Sequence, residues 1–168
     1  MKIRLSKQDA HTCKLMGADT VKLCEMQGFA PRLDNKKQSR TEANVYGFKA
    51  EFAVARLFHM ELPTVNVLTD GGVDLWFGDF SIDVKFTNDE YGNLIFDNME
   101  KFKSQIAILV GRTNDPNVMR VNGWMDRANF KRVAHTKNFG YGDRLYLKHD
   151  ELMPIESLWA RLQAHKFQ

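Results

Sequence analysis

Hydrophobic and polar residues alternate strictly over residues 80–87, FSIDVKFT. Together with the apolar segment before them, residues 71–87, GGVDLWFGDFSIDVKFT, predict a β-hairpin of two short strands. Apolar and aromatic residues flank Gly78-Asp79, a dipeptide that is typical of a two-residue hairpin turn. A turn at these two residues fixes the register of the two strands. Asp74 on the first strand then lies opposite Asp83 on the second.

The second strand of this hairpin has two different faces, because successive side chains point to opposite sides of a strand. Its apolar face is formed by Phe80, Ile82, Val84 and Phe86, and its polar face by Ser81, Asp83, Lys85 and Thr87. Cross-strand pairing adds Asp74 to the polar face, where two opposed carboxylates repel and would destabilise the hairpin. The polar face therefore predicts a site at which a divalent cation offsets this repulsion, beside Lys85.

The rest of the chain alternates between segments with helical and strand periodicity. Helices are predicted at residues 6–28, 39–59, 97–104 and 126–133, and in a proline-interrupted tail from residue 149 onward. Further strands are predicted at residues 65–68, 106–110, 118–124 and 144–147. Ser6 with Asp9, and Ser39 with Glu42, have the spacing of helix capping boxes. This order predicts an α/β fold with a mixed central β-sheet flanked by helices.

The second predicted helix places an acid among apolar residues. Its apolar face is formed by Val45, Phe48, Phe52, Ala55 and Phe58. Glu51 falls within that arc, where a carboxylate is costly unless it is paired, protonated or bound to a metal. Two alternatives stay open for Glu51: a salt bridge to a buried Lys or Arg, or a helix rolled far enough for the carboxylate to reach water.

Length and composition narrow the class of protein. A chain of 168 residues, 43% hydrophobic and 27% charged, is typical of one soluble domain with a buried core. It has no run of ~18 apolar residues, so we expect no membrane partner. Cys13 and Cys24 lie in one predicted helix, too far apart for a disulfide, which favours a reduced, cytoplasmic protein.

The acid on the second helix and the polar face of the hairpin together resemble the motif of the PD-(D/E)XK nuclease superfamily. That family combines a helical acid, an acid in the first hairpin strand and an acid-x-Lys triplet in the second. Here these positions are held by Glu51, Asp74, Asp83 and Lys85. Val73-Asp74 stands where the motif often has Pro-Asp. A second triplet, Asp34-Asn35-Lys36, lies in a polar loop without strand periodicity and does not fit.

The resemblance covers roughly residues 42–162 and implies a restriction-endonuclease-like core over residues 39–168. Residues 1–38 have no counterpart in it and are predicted to form an N-terminal basic helical arm and loop. The size suits a small, phage-encoded member, in which case the cytoplasm is that of the host.

The resemblance also implies a metal-dependent deoxyribonuclease, in particular an endonuclease. Its metal ligands would be the carboxylates of Asp74 and Asp83, the carbonyl of Val84, and Glu51 through a metal-bound water or a second ion. Lys85 would orient or deprotonate the attacking water, or stabilise charge on the phosphoryl group. Mg²⁺ is the expected metal, and we expect Mn²⁺ to substitute for it.

Positive charge is concentrated at the start of the chain. Residues 1–40 contain nine Lys or Arg and four acids, a local charge of +5 in a chain of net charge +3. One interpretation is that this segment binds a polyanion, here DNA. The alternative is a solvated segment or a packing or dimerisation element, and in the last case the protein would be a homodimer. The predicted nucleic-acid contacts are Arg32, Lys36, Lys37 and Arg40 here, and Lys137, Tyr141 and Arg144 in a later loop.

Two alternatives from other classes remain beside the nuclease. One is a non-catalytic nucleic-acid-binding module that has kept the nuclease fold. The other is a virus-encoded structural or inhibitory protein whose carboxylates bind no metal. DNA binding without cleavage would favour the first, and an absence of Mn²⁺ binding would favour the second.

Overall fold

The computed structural model describes residues 1–28, 39–65, 72–140 and 142–165. The helices among them are α1 (Lys7–Met26), α2 (Arg40–Phe58), α3 (Arg127–Val133) and α4 (Ile155–His165). The strands are β1 (Lys2–Arg4), β2 (Leu75–Phe77), β3 (Phe80–Thr87), β4 (Asn93–Phe96), β5 (Ile106–Arg112), β6 (Val118–Asp126), β7 (His135–Asn138) and β8 (Asp143–Lys148). None of these helices is long and apolar enough to cross a membrane.

The strands form two sheets. Five strands pair in the order β1-β6-β5-β3-β2, and three pair in the order β4-β8-β7. The contact between β3 and β5 is parallel, whereas the other pairings of the larger sheet are antiparallel. The prediction of an α/β fold with a mixed central sheet is therefore confirmed.

The hairpin of β2 and β3 has the predicted register. Trp76 pairs with Ser81, and Leu75 pairs with Ile82. Gly78 in the turn has a φ of 56°, a left-handed conformation that glycine adopts without steric cost. Beyond β2 the Asp74 N–H donates to the Ile82 carbonyl at 2.9 Å, although Ile82 is the register partner of Leu75. The regular ladder therefore ends at Leu75, and the pairing of Asp74 with Asp83 stays a prediction.

The predicted helix starts are confirmed by their caps. Ser6 and Asp9 form a reciprocal capping box at the start of α1. The Ser39 hydroxyl accepts a hydrogen bond from the Glu42 N–H at 3.1 Å, and Asp126 caps α3 in the same way. Each cap satisfies a backbone donor that has no partner within its helix, which fixes the first turn locally.

Two hydrophobic cores lie on opposite faces of the larger sheet. Along β5, Ile106, Ile108 and Val110 pack into the first core with residues of α1, α2 and α4. Ala107 and Leu109 pack into the second core with residues of β4, β8 and α3. The central strand β5 is thus buried on both faces, and β3 beside it has one face toward each layer.

Helix α2 is buried on more than one side, because it packs against α1 as well as against the sheet. Helical periodicity predicts Lys49 on the polar side of α2, together with Glu42. That prediction is wrong, because Lys49 is only 3% exposed. Its ammonium donates to the Pro116 carbonyl at 2.6 Å and lies 4.9 Å from the centre of the Tyr46 ring. Burial lowers the pKa of Lys49.

Several local predictions need correction. The helix predicted at residues 97–104 is wrong. Residues 97–101 form a turn, in which the Asn98 carboxamide accepts hydrogen bonds from the Glu100 and Lys101 N–H groups, and residues 102–104 are irregular. Strands β1, β4 and β7 are not among the predicted elements. The partners of β1 and β4 are distant in sequence, whereas β7 pairs with the next strand, β8. Most of the strand predicted at residues 65–68 lies outside the described residues.

The start of the chain is part of the fold. Strand β1 pairs with β6, and Cys13 and Met16 of α1 belong to the first core. Cys13 is fully buried, and this burial raises the pKa of its thiol to about 12. The boundary predicted at residue 38 falls outside the described residues.

Candidate functional site

Asp83 and Lys85 form an ion pair on one face of β3. Because Asp83 is in register with Ala107, and Lys85 with Leu109, both side chains face the layer of the second core. The Lys85 ammonium lies 2.7 Å from Asp83 Oδ1 and 5.1 Å from the centre of the Phe96 ring. The Asp83 side chain is 1% exposed and that of Lys85 is 37% exposed, so the pair joins the interior to the surface.

Asp74, the residue directly before β2, is held against the same strand. Its Oδ2 accepts a hydrogen bond from the Val84 N–H at 2.6 Å. Since β2 begins only at Leu75, the carboxylate bonds a strand N–H just beyond the end of the hairpin ladder. A charged acceptor makes this a strong hydrogen bond, and it fixes Asp74 between the positions of Asp83 and Lys85 along β3.

Glu51 is positioned by α2, where it is half-buried between Ala50 and Phe52. Those two neighbours belong to the first core, whereas Asp83 and Lys85 face the second. These neighbours do not bring Glu51 to the face of Asp83 and Lys85. Its convergence with them and with Asp74 on one site stays a prediction. Within the described ranges 1–28, 39–65, 72–140 and 142–165, no three His, Cys, Asp or Glu side chains are grouped so as to hold a metal ion.

The segment leading into β5 borders the site and was not predicted to do so. The Ser81 N–H donates to Gln105 Oε1 at 2.9 Å, and the Gln105 N–H donates to Ser81 Oγ at the same distance. Lys103, two residues earlier, is exposed and lies against Gly72, where an added Cβ would be 3.7 Å from its Cδ. Ordinary contact distance at Gly72 shows that the two chain segments run side by side.

The sequence signals this segment only in part, because the polar Ser104 interrupts the alternation of polar and apolar residues over residues 101–106. Lys101, Lys103 and Gln105 are exposed, while Phe102, Ser104 and Ile106 between them are buried. This strict alternation is typical of an extended segment rather than of the helix predicted at residues 97–104. Asp97 and Glu100 have the spacing of a capping box, and this spacing predicts the helix that the structure does not form.

The predicted nucleic-acid contacts are only partly described. Arg32, Lys36, Lys37 and Tyr141 lie outside the described residues. Arg40 is the exposed first residue of α2. Lys137 on β7 is exposed, with its ammonium 5.5 Å from the centre of the Phe139 ring. The Arg144 side chain is 14% exposed and pairs with Asp97 at 3.0 Å, so little of it is accessible to a ligand.

A separate cavity lies beyond the ends of the parallel strands. It has a volume of about 690 Å³ and is lined by Asn88, Asp89, Glu90, Arg112, Thr113 and Asn114. These residues directly follow β3 or end and follow β5, so the cavity lies at the carboxyl ends of neighbouring parallel strands. Ligands often bind at that edge of an open α/β sheet.

Taken with the fold, these contacts define an α/β protein whose central hairpin displays an acid-x-Lys triplet beside a second acid. Comparison of the chain with protein-family models, with curated proteins and with solved structures gives no match.

Proposed function

We propose that this protein is a metal-dependent nuclease that hydrolyses phosphodiester bonds in DNA, with a restriction-endonuclease-like core. The observation that supports the proposal is the contact between Asp83 and Lys85 at 2.7 Å, beside Asp74 on the next chain segment. Two carboxylates and an ammonium on two adjoining segments provide the charges that phosphodiester hydrolysis requires.

The donor set of the site suits Mg²⁺. This ion prefers oxygen ligands and usually binds one or two carboxylates while keeping waters for the substrate. The groups that would hold it are the carboxylates of Asp74 and Asp83 and the carbonyl of Val84, with Glu51 as the expected further ligand. A bound Mg²⁺ supplies a water of lowered pKa and neutralises charge on the phosphate.

Lys85 is the residue to which the proposal gives the most direct role. Its ammonium is held by Asp83, yet its side chain remains 37% exposed and accessible to a substrate. From that position it orients the attacking water and stabilises the negative charge that develops on the phosphoryl oxygens. Asp83 thus has a second task, which is to fix the rotamer of Lys85.

The test is a cleavage panel of plasmid, single-stranded, flap, four-way-junction and RNA substrates, each with Mg²⁺, Mn²⁺ or a chelator. We expect cleavage of DNA only with metal, and a loss of about 10²–10⁴-fold in Lys85→Ala. The matched control is Lys131→Ala, which removes an exposed lysine from α3. Full activity in Lys85→Ala would place the active site elsewhere and contradict the proposal.

A second candidate function is a nucleic-acid-binding module without catalysis. It is favoured by the contacts themselves, since Asp83 already pairs with Lys85 and Asp74 already bonds the Val84 N–H. In such a module these bonds stabilise the hairpin instead of binding a metal. Binding of DNA without cleavage of any substrate, together with no heat of Mn²⁺ binding by calorimetry, would select this function over the nuclease.

A further inference from the structure

Trp76 is the largest exposed aromatic side chain of the central hairpin. It is 62% exposed, although it lies between Leu75 and Phe77, which are both buried in the first core. Alternation along β2 therefore directs Trp76 to the opposite face of the sheet. On this face the indole is accessible to a ligand, to which it can offer an aromatic surface.

The face on which Trp76 lies is the face of the candidate site. Trp76 is directly opposite Ser81, and Ser81 shares its side of β3 with Asp83 and Lys85. Diagonal neighbours in an antiparallel pair are separated by about 7–8 Å, which is within reach of an aromatic side chain. The indole thus borders the Asp83–Lys85 pair on the side of the hairpin turn.

Two exposed lysines border the same face from the segment that leads into β5. Gln105 is bonded to Ser81, the cross-strand partner of Trp76, and Lys103 and Lys101 precede it on the exposed side of the segment. The segment also runs beside Gly72, two residues before Asp74. The site is therefore flanked by an aromatic surface and by two cations.

We propose that Trp76 stacks on an unpaired base of single-stranded DNA while Lys101 and Lys103 contact the adjoining phosphates. The proposal rests on the proposed nuclease function, and it specifies the substrate class of that same site. A base within a duplex has both faces covered by its neighbours, so a fixed indole can stack only on a base that is unpaired. Lysine contacts to phosphate add affinity without sequence preference.

The test measures binding in chelator, where cleavage does not interfere, with a fluorescent 12-residue oligothymidylate and a 12-base-pair duplex. Trp76→Ala is expected to weaken binding of the single strand by roughly 5- to 150-fold, the range for loss of one stacked base. Trp76→Phe is expected to restore most of that affinity, because phenylalanine keeps an aromatic face. Duplex binding is expected to change less than twofold in either variant.

The matched control is Tyr91→Ala, which removes another exposed aromatic ring. Tyr91 lies beyond the carboxyl end of β3, whereas Trp76 pairs near its start. Single-strand affinity should be unchanged in this control. For Lys101→Ala with Lys103→Ala, the slope of log affinity against log salt is expected to flatten by about 0.7 per lost contact.

Four results would overturn the proposal. The first is parental single-strand affinity in Trp76→Ala, and the second is an equal loss of single-strand and duplex affinity. The third is a parental dimer in sedimentation equilibrium that Trp76→Ala dissociates, because this would assign the exposed indole to a second copy of the chain. Preference for single-stranded RNA over DNA would also contradict the substrate assigned here.

Failure of this proposal and failure of the nuclease proposal are distinguishable. If the parent cleaves DNA and Lys85→Ala does not, but Trp76→Ala binds normally, the nuclease stands and the stacking role falls. If Trp76→Ala loses single-strand binding while the parent cleaves nothing, the stacking role stands and the binding module replaces the nuclease.

Discussion

At the scale of single residues, the clearest electrostatic contact outside the candidate site joins α1 to α2. Asp9 is buried, accepts a hydrogen bond from the Arg56 guanidinium at 2.7 Å, and also completes the capping box with Ser6. The hydrogen bond from Arg56 is the main cause that lowers the pKa of Asp9 below its usual range. One carboxylate therefore serves both a local cap and a contact between helices.

The substitution Asp9→Asn tests how much this charge contributes to stability. A lowered folded-state pKa gives stability that is fully present above the unfolded pKa, about 3.9, and is lost as the pH falls through the folded pKa. Asp9→Asn should therefore lower the free energy of unfolding at pH 7 by about 1–2 kcal/mol, since Arg56 is half-exposed and its pairing is partly screened. The difference from the parent should shrink below about pH 4.

Urea unfolding of parent and variant at pH 7 and pH 3 checks this prediction. Asp19→Asn is the control, because Asp19 is exposed on the same helix and lies 3.9 Å from Lys22. It should change the free energy of unfolding by less than about 0.5 kcal/mol. An equal effect of Asp9→Asn at both pH values would show that its charge contributes nothing.

At the scale of elements, the packing of α1 on α2 depends on one small residue. A Cβ added at Gly17 would lie 2.8 Å from the backbone nitrogen of Val45 and would also meet its side chain. Backbone atoms cannot turn aside as a flexible side chain can, so any larger residue must push the helices apart. Gly17 therefore fixes the close approach that buries Cys13 and Ala50.

Two matched glycine-to-alanine substitutions, one in α1 and one in α2, test this close packing. Gly17→Ala should lower the free energy of unfolding by about 1–2 kcal/mol, because overpacking outweighs the gain of about 1 kcal/mol in helix propensity. Gly47→Ala should raise it by about 0.5–1 kcal/mol, since α2 has open space around an added Cβ there. Chemical denaturation of both variants measures the two values, and stabilisation by Gly17→Ala would contradict the close packing.

At the scale of the whole molecule, two parts of the basic start of the chain have different roles. Its described part is structural, since β1 joins the larger sheet and α1 packs on α2. The chemistry proposed for Asp83 and Lys85 does not require the cations of residues 32–40. Those cations remain the candidates for sequence-independent contacts with phosphates.

Lys36, Lys37 and Arg40 are the cations of this segment to be tested for contact with DNA. Changing all three to Ala should weaken DNA binding uniformly across sequences and flatten the slope of log affinity against log salt by about 0.7–0.9 per lost contact. The chemical step at saturating DNA should be unchanged. A triple change of Lys131, Arg132 and Lys148 to Ala is the control of equal charge. Unchanged affinity and salt slope in the first variant would mean that its cations do not contact DNA.

The sequence alone determined the features that depend on local interactions. Gly78-Asp79 fixed the hairpin register, because a two-residue turn leaves one way to pair its strands. Ser6, Ser39 and Asp126 fixed the starts of three helices, because a cap satisfies backbone groups only a few residues away. Alternation along β3 likewise placed Asp83 and Lys85 on one face before any partner strand was known.

Only the tertiary structure decided which side of each element is buried. Lys49 is buried because α1 covers a side of α2 that helical periodicity assigns to solvent. Strands β1 and β4 exist because β6 and β8, distant in sequence, supply their hydrogen-bond partners. The exposed lysines beside Ser81 were located in the same way, through the bond of Ser81 to Gln105. A pattern within one segment cannot reveal these features, because burial and strand pairing depend on the surfaces that distant segments bring to it.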